Sequence, residues 1–177
     1  MRLRTALAVV VLSGAPLLAQ APQVTKETVP GITNFARVQT TVACAGATKA
    51  EALPEIKKMG FTTIVNLREA SEPGADIDAE ASATKALGLN FVHIPFNVAS
   101  PAPDVVERFL AAMNRPGSQP AFIHCAGGGR AATLWMIKRV KMDGWDRQRA
   151  IDEATALGMA SERLKQFAIN YLDTHKG

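Results

Sequence analysis

Short apolar runs alternate along the chain with longer segments whose apolar residues recur at helical spacing. The short runs, rich in β-branched and aromatic residues, predict strands, and the helical spacing predicts amphipathic helices. The predicted strands are 35–43, 61–67, 91–94 and 121–124. The predicted helices are 48–60, 78–87, 104–113, 131–142, 145–157 and 161–172. This alternation predicts a single α/β domain, 35–177, with a mostly parallel sheet of about four to five strands and helices on both faces.

Cap and turn residues mark several of these boundaries. Thr48, with Glu51 three residues later, predicts a capping box at the first helix. Asp104 is expected to cap the helix that it begins. The segment 22–34 carries prolines and little apolar periodicity, so we expect an extended lead-in without a face on the core.

A cysteine, a glycine run and an arginine join the predicted strand 121–124 to the helix that follows it. Cys125 ends the strand and Arg130 opens the helix. The loop amides expected to face an anion are those of Ala126, Gly127, Gly128 and Gly129. The helix N-terminus adds the positive end of its dipole, so the loop is expected to bind an anion. The same field favours a nucleophilic thiolate at Cys125, and Arg130 can hold two oxygens of a phosphate-like group.

Two other interpretations fit this loop. A cysteine at a strand end is often a small buried hydrophobic residue. Residues 127–132 also match the dinucleotide-binding pattern G-x-G-x-x-A. The second interpretation is disfavoured, because no strand bearing an acidic residue follows the helix and the unit lies too late in the chain to begin a two-halved nucleotide-binding fold.

The N-terminus has the features of an export signal. Arg2 and Arg4 precede an apolar run, 5–19, that is short for a membrane span, and Ala19 and Ala21 offer a cleavage site. We therefore expect a signal peptide, 1–21, and a periplasmic or secreted protein with no membrane association after cleavage. An uncleaved anchor is the alternative.

Composition limits the partners and cofactors. The net charge of +4, without a stripe of basic and aromatic residues, gives no indication of nucleic-acid binding. The three histidines lack metal-ligand spacing, so neither a metal nor another cofactor is expected. Cys44 and Cys125 are too few for a disulfide scaffold, but in an oxidising compartment they could pair if the fold brings them together.

The His124–Cys125 pair, the glycine loop and the arginine resemble the cysteine-dependent phosphatases of the dual-specificity type. The sequence looks most like the bacterial phosphatase-like domains of beta-lactamase hydrolase-like proteins, from Val38 to Leu172. Short motifs at 46–48, 64–68, 93–96 and 144–145 fall in that family's order. The resemblance implies hydrolysis of phosphomonoesters through a phosphocysteine, with Cys125 as nucleophile and Arg130 as phosphate clamp.

Two further residues are expected near the substrate. Arg68 and Asn97 follow predicted strands, and loops at the carboxyl ends of parallel strands converge. Both are therefore candidate substrate-binding residues. An ion pair of Arg68 with Glu69 or Glu72 is an equally good explanation for that arginine.

The general acid of the resembling phosphatases has no direct counterpart. That family takes an aspartate from the loop after the strand that corresponds to 91–96, whereas this loop reads Asn97-Val98-Ala99-Ser100. Asp104 is the nearest candidate, although a helix cap is its simpler role. The other candidates are Glu69, Glu72 and Asp76.

The loop itself also departs from the family. Four residues separate Cys125 from Arg130, whereas the tyrosine and dual-specificity phosphatases have five, and the shorter loop resembles the rhodanese-type sulfurtransferases. Ala131 stands where the family often has a Ser or Thr that helps the thiolate leave. The preferred function is hydrolysis of a phosphorylated small molecule or phosphoprotein. The alternatives are a sulfurtransferase with a persulfide on Cys125 and a catalytically weak anion-binding protein.

Overall fold

Six strands form one mixed sheet in residues 23–175, the part of the chain that the computed structural model describes. In chain order they are β1 (Val24–Val29), β2 (Ile32–Val38), β3 (Val42–Ala45), β4 (Thr63–Asn66), β5 (Asn90–His93) and β6 (Ala121–His124). Their order across the sheet is β1-β2-β3-β6-β4-β5. The last four strands in this order run parallel, and β1 and β2 add antiparallel at one edge. The predicted α/β domain with a mostly parallel sheet is confirmed, with more strands than expected.

Helices cover both faces of this sheet. They are α1 (Leu53–Lys58), α2 (Ile77–Ala86), α3 (Val105–Met113), α4 (Gly129–Lys141), α5 (Arg147–Leu157) and α6 (Glu162–Thr174). The first two pack on one face, with Leu53 and Ile56 fully buried, and the other four pack on the opposite face. Because each face has its own apolar cluster, the central strands β3, β6 and β4 are buried on both sides.

The helix α4 lies at the centre of the larger cluster. Every residue from Ala131 to Arg139 is buried. The buried carboxylate of Glu153 on α5 accepts hydrogen bonds from Trp135 Nε1 at 2.8 Å and Arg139 Nε at 2.7 Å. These bonds compensate the burial of the charges and join α4 to α5.

The segment 22–34 is not an extended lead-in outside the core. Strand β1 and the start of β2 form a hairpin there, with Val29 paired to Ile32 and both side chains buried. Pro30 and Gly31 form the turn, and Gly31 has the positive φ of 79° that glycine adopts without strain. The prolines that suggested a lead-in therefore include one that reverses the chain.

The predicted strand 35–43 and the predicted capping box also differ from the structure. Strand 35–43 is two strands, β2 and β3, because the chain turns at residues 39–41, where Thr41 N donates to Val38 O. Thr48 does not cap a helix: its hydroxyl donates to Gly46 O at 3.1 Å. The chain enters α1 through a 3₁₀ turn, Ala50–Ala52, because residues 47–49 pair with the hairpin instead, and Lys49 N donates to Gly31 O.

The N-terminal prediction falls outside the described residues. The signal peptide predicted for 1–21 lies before residue 23. Within 23–175, no helix is both long enough and apolar enough to span a membrane.

Candidate active site

The carboxyl ends of the four parallel strands meet at one edge of the sheet. Ala45 and Asn66 both pair with His124 across the register, and Asn66 also pairs with His93. The loops that continue from these strands therefore start side by side. The site is built from the loop after β6, the loop after β4 and the loop after β5.

Cys125 lies immediately after β6 and under the first turn of α4. Its side chain is buried, and the N–H of Gly128 donates to its Sγ at 3.1 Å. Gly128 has a φ of 98°, a conformation that glycine adopts without a Cβ penalty, and it occupies the N-cap of α4. The sulfur therefore faces a backbone donor and the positive end of a helix dipole, as the sequence predicted.

The outer side of the loop is held by the β2–β3 region. Ala47 N donates to the Ala126 carbonyl at 2.9 Å, and Asn34 Nδ2 donates to the Gly127 carbonyl at 3.2 Å. Because a trans peptide is planar, the N–H groups of Gly127 and Gly128 point the opposite way from these carbonyls. Gly46 permits this approach, since a Cβ there would lie 2.8 Å from the Ala126 oxygen.

Arg130 reaches from α4 to both neighbouring loops. Its Nη1 donates to Leu67 O at 3.1 Å and to Phe96 O at 2.8 Å. Glu72 accepts from Nη1 at 2.6 Å and from Nη2 at 2.8 Å, a bidentate ion pair. Within residues 23–175, Nε and one N–H of Nη2 have no oxygen acceptor, and the guanidinium also lies within hydrogen-bonding reach of Cys125. That edge of the guanidinium is free to bind two oxygens of an anion.

The ion pair perturbs both partners. Burial is the largest single influence on Glu72, and it favours the neutral carboxyl. The hydrogen bonds that Glu72 accepts from Arg130 and from the Glu69 N–H, together with the charges of Arg130 and Arg68, outweigh burial. The pKa of Glu72 is therefore lowered. Burial likewise disfavours the charge on Arg130, but Glu72 and the charge of Cys125 raise its pKa above the usual value. Arg130 is thus a permanent cation beside the sulfur.

Arg68 is placed beside this ion pair and mainly organises its own loop. Its Nη1 donates to Gly74 O at 3.0 Å and its Nη2 to Pro73 O at 2.5 Å. Its Nε lies 3.5 Å from Glu72 Oε2, and the side chain is 6% exposed. The alternative given for Arg68, an ion pair with Glu72, is the contact that the structure shows. Within residues 23–175, Arg68 makes no hydrogen bond or ion pair with the Cys125–Arg130 loop.

Asn97 lies in the loop after β5, whereas Asp104 lies at the start of α3. Asn97 Oδ1 accepts from Ala99 N at 2.9 Å and Ser100 N at 3.2 Å, which closes a turn, and its Nδ2 donates to Glu69 Oε1 at 3.3 Å. Asp104 precedes α3, but its carboxylate caps no helical N–H and lies 4.0 Å from Arg108 Nε. Its side chain is 61% exposed. The helix cap predicted for Asp104 is therefore wrong. Substrate binding by Asn97 and acid catalysis by Asp104 stay predictions.

A buried network that the sequence did not indicate supports the strand ends. His124 Nε2 lies 2.7 Å from Glu80 Oε1, and Asn66 Nδ2 donates to Glu80 Oε2 at 2.6 Å. Asn66 Oδ1 in turn accepts from Arg68 N at 2.7 Å. Glu80 comes from α2, so the helix fixes the residues just before Cys125 and the loop of Arg68. Nothing in the local sequence distinguishes Glu80 from a surface residue of an amphipathic helix.

The two cysteines lie on the same face of the sheet and both are free thiols. Cys44 pairs with Ile123 in the register, and Cys125 lies two residues beyond Ile123, so the cysteines are diagonal neighbours. Burial above all, then the charges of Cys125 and Glu153, raises the pKa of Cys44 well above its ordinary value. Cys44 therefore remains a neutral thiol beneath the site.

A cavity of about 800 Å³ lies on the α2 side of the site, and no residue of the Cys125–Arg130 loop lines it. It is lined by residues of the hairpin turn, the 47–51 segment and the loop after β4, among them Thr33, Thr48, Lys49, Arg68, Asp76 and Glu80. Among residues 23–175, no group of His, Cys, Asp and Glu side chains is arranged to hold a metal ion. The Gly128 N–H beside the Cys125 sulfur and the Arg130 side chain held by Glu72 form an arrangement that can bind an anion and offer it a sulfur nucleophile.

Comparison with known proteins places this chain in a family. The family model described as "Beta-lactamase hydrolase-like protein, phosphatase-like domain" matches residues 34–141. A beta-lactamase hydrolase-like protein of Agrobacterium fabrum is 29% identical over 122 residues, which is 66% of this chain and 27% of that protein. The chain thus spans about a quarter of that relative's length.

Solved structures share the fold. A DUF442 protein from Shewanella putrefaciens CN-32 is 18% identical, with a TM-score of 0.68 over 83% of this chain and 94% of that one. A variant of P. aeruginosa TpbA in complex with pTyr is 17% identical, with a TM-score of 0.62 over 85% of this chain and 90% of that one. The fold is therefore that of the tyrosine phosphatase-like proteins, and the resemblance seen in the sequence is confirmed. The family model covers more than half of the residues of this chain. The chain therefore belongs to the family of phosphatase-like domains of beta-lactamase hydrolase-like proteins.

Proposed function

We propose that this chain is a cysteine-dependent phosphatase that hydrolyses phosphomonoesters, with Cys125 as its nucleophile. One observation carries the proposal: Cys125 Sγ faces the Gly128 N–H at 3.1 Å, beside an Arg130 that Glu72 fixes by one edge. A sulfur nucleophile, a loop of amides and an oriented cation are what transfer of a phosphoryl group to sulfur requires. Membership of a phosphatase-like family supports the same chemistry.

The reaction has two steps in this site. The Cys125 sulfur attacks phosphorus, the P–O bond to the leaving group breaks, and a phosphocysteine forms. The loop amides and the free edge of Arg130 stabilise the charge on the remaining phosphate oxygens. Water then attacks the phosphocysteine, the P–S bond breaks, and orthophosphate is released.

The test is turnover of an aryl phosphate by the purified protein. Wild type should release the phenol, Cys125→Ser should release none, and vanadate should inhibit wild type. Arg130→Ala should bind vanadate much more weakly, because it loses a charge-assisted pair of hydrogen bonds. Equal turnover by wild type and Cys125→Ser would overturn the proposal.

The second candidate is a sulfurtransferase, favoured by the four-residue spacing between Cys125 and Arg130. In that reaction Cys125 takes a sulfur atom from a donor such as thiosulfate, releases sulfite, and passes the sulfur to cyanide. An assay with thiosulfate and cyanide separates the two enzymes. Vanadate binding without either turnover would indicate the third alternative, a protein that binds anions and catalyses neither reaction.

The substrate class that we propose to test first is an aryl phosphate ester such as phosphotyrosine. The structure of TpbA in complex with pTyr supports this choice, because that protein shares the fold. Phosphotyrosine peptides and sugar phosphates should be compared at equal concentration. A preference for the sugar phosphates would assign the chain to small-molecule substrates.

We propose further that the protein acts in the periplasm or outside the cell. The basic start and the apolar run of 5–19 support export. N-terminal sequencing of the natively expressed protein should find the first residue between Gln20 and Pro22. A protein that begins at Met1 in the cytosol would contradict it.

A further inference from the structure

Hydrolysis of a phosphomonoester needs a group that gives a proton to the leaving oxygen. Four carboxylates lie in the loops around the site or at their borders: Glu69, Glu72, Asp76 and Asp104. A general acid must carry a proton at the start of the reaction and reach the leaving oxygen, so each carboxylate can be judged by its partners.

Three of these four carboxylates have other partners. Glu72 is held ionised by its bidentate pair with Arg130 and by the nearby Arg68, which lower its pKa. Asp76 caps α2, where its Oδ1 accepts from Ala79 N at 3.0 Å. Asp104 is exposed and faces Arg108 on its own helix.

Glu69 lies in the first of the two loops that hold Arg130 and contacts the second. Leu67 O and Phe96 O both accept from Arg130 Nη1. Glu69 follows Leu67 by two residues, and Asn97 follows Phe96 directly. Asn97 Nδ2 donates to Glu69 Oε1 at 3.3 Å, so the Glu69–Asn97 contact joins the two loops just beyond the carbonyls that orient the arginine.

The surroundings of Glu69 suit a group that gives and takes a proton. The Glu69 N–H donates a hydrogen bond to Glu72 Oε1 at 2.9 Å, which fixes the backbone of Glu69 beside the Arg130–Glu72 ion pair. The side chain is half-buried, and within residues 23–175 its second oxygen, Oε2, accepts no hydrogen bond. Because the amide of Asn97 donates to Oε1, that oxygen is an acceptor, and Oε2 is the oxygen left to exchange a proton with a bound substrate.

We propose that Glu69 is the general acid and base of the reaction and that Asn97 positions it. The inference rests on the proposed phosphatase function. As Cys125 sulfur bonds to phosphorus, the P–O electron pair goes to the leaving oxygen, which takes the proton from Glu69 Oε2. The Glu69 carboxylate then takes a proton from the water that attacks the phosphocysteine, and the P–S electron pair returns to the Cys125 sulfur. Glu69 ends protonated and orthophosphate leaves.

The experiment compares two substrates that differ in their need for an acid. The phenol released from phenyl phosphate is a weak acid, with a pKa of about 10 like the tyrosine side chain, whereas 4-nitrophenol is a much stronger acid and leaves without help. Glu69→Gln should lower kcat/KM for phenyl phosphate by about 10²- to 10³-fold and for 4-nitrophenyl phosphate far less. The alkaline limb of the pH profile on phenyl phosphate should disappear in this variant. Turnover of 4-nitrophenyl phosphate by Glu69→Gln also shows that the variant is folded.

Two more variants sharpen the assignment. Asn97→Asp in the Glu69→Gln background returns a carboxyl to the same junction, keeps the oxygen that closes the 97–100 turn, and should recover part of the lost rate on phenyl phosphate. Glu55→Gln, at an exposed carboxylate on α1, is the control and should match wild type on both substrates.

The outcomes separate this inference from the proposed function. A wild type without Cys125-dependent turnover overturns both. A wild type that turns over both substrates, with a Glu69→Gln variant impaired equally on the two or on neither, overturns only the assignment of Glu69. The substrate-dependent loss in Asp104→Asn instead would move the role to Asp104.

Discussion

Replacing Glu72 with Gln removes the negative charge that fixes Arg130 and keeps the size of the side chain. The Glu72 and Arg130 side chains are 18% and 11% exposed, so the pair is largely buried. Losing one partner of a fully buried pair costs about 3–5 kcal/mol. Because Gln can still accept one hydrogen bond and Arg130 keeps the carbonyls of Leu67 and Phe96, we expect a smaller loss, about 2 kcal/mol of unfolding free energy.

The pH dependence of this loss has a definite sign. The pKa of Glu72 is lower in the folded protein than in the unfolded chain, where it is about 4.3. The stabilisation by the carboxylate is therefore present in full above the unfolded-state value and is lost as the pH falls through the folded-state value. The difference in stability between wild type and Glu72→Gln should thus be largest near neutral pH and shrink in acid.

Urea unfolding at pH 7 and at several acidic pH values measures the loss of unfolding free energy and its dependence on pH. Thermal unfolding at pH 7 should show that the Tm of Glu72→Gln is lower than that of wild type by about 4–8 °C. Glu55→Gln is the matched control, because its ion pair with Lys58 is exposed, at 46% and 78%, and contributes about 0–1 kcal/mol. Activity on an aryl phosphate should fall about 10²-fold as Arg130 loses its orientation. Equal stability of wild type and Glu72→Gln at pH 7, or a difference that does not narrow in acid, would refute this account of the ion pair.

The remaining predictions concern packing and thiol reactivity. Gly46→Ala puts a Cβ against a backbone oxygen of the cysteine loop and should lower the free energy of unfolding by about 1–3 kcal/mol. In Gly127→Ala the added Cβ meets open space, so the free energy of unfolding should change by less than about 0.5 kcal/mol. Equal urea midpoints for the two variants would contradict this prediction. Cys44 should react with iodoacetamide at pH 8 only after unfolding, since burial raises its pKa, and mass spectrometry showing rapid labelling of the native protein would oppose that account. Glu153→Gln should destabilise the protein by about 3 kcal/mol, because Glu153 is 1% exposed and pairs with Arg139; an unchanged urea midpoint would argue against it.

The parts of the site that the sequence predicted are contiguous along the chain. Cys125, the glycines and Arg130 span a strand end, a loop and a helix start, and each of these follows from local pattern. The helices α2 to α6 and the strands β4 to β6 lie close to their predicted positions for the same reason. The errors fall where local signals compete, as in the 22–45 region, where prolines and weak alternation conceal three antiparallel strands.

The sequence by itself determined the loop from Cys125 to Arg130, because the strand, the glycines and the helix that shape it are adjacent residues with strong local preferences. Only the tertiary structure decided which carboxylates contact the residues of this loop and of its neighbours. Arg130 and Glu72 are 58 residues apart in the chain, Glu80 and His124 are 44 apart, and Glu69 and Asn97 are 28 apart. Local preference carries no information about such pairs. They meet because burial of both sheet faces sets the strand order, which brings the ends of β4, β5 and β6 together.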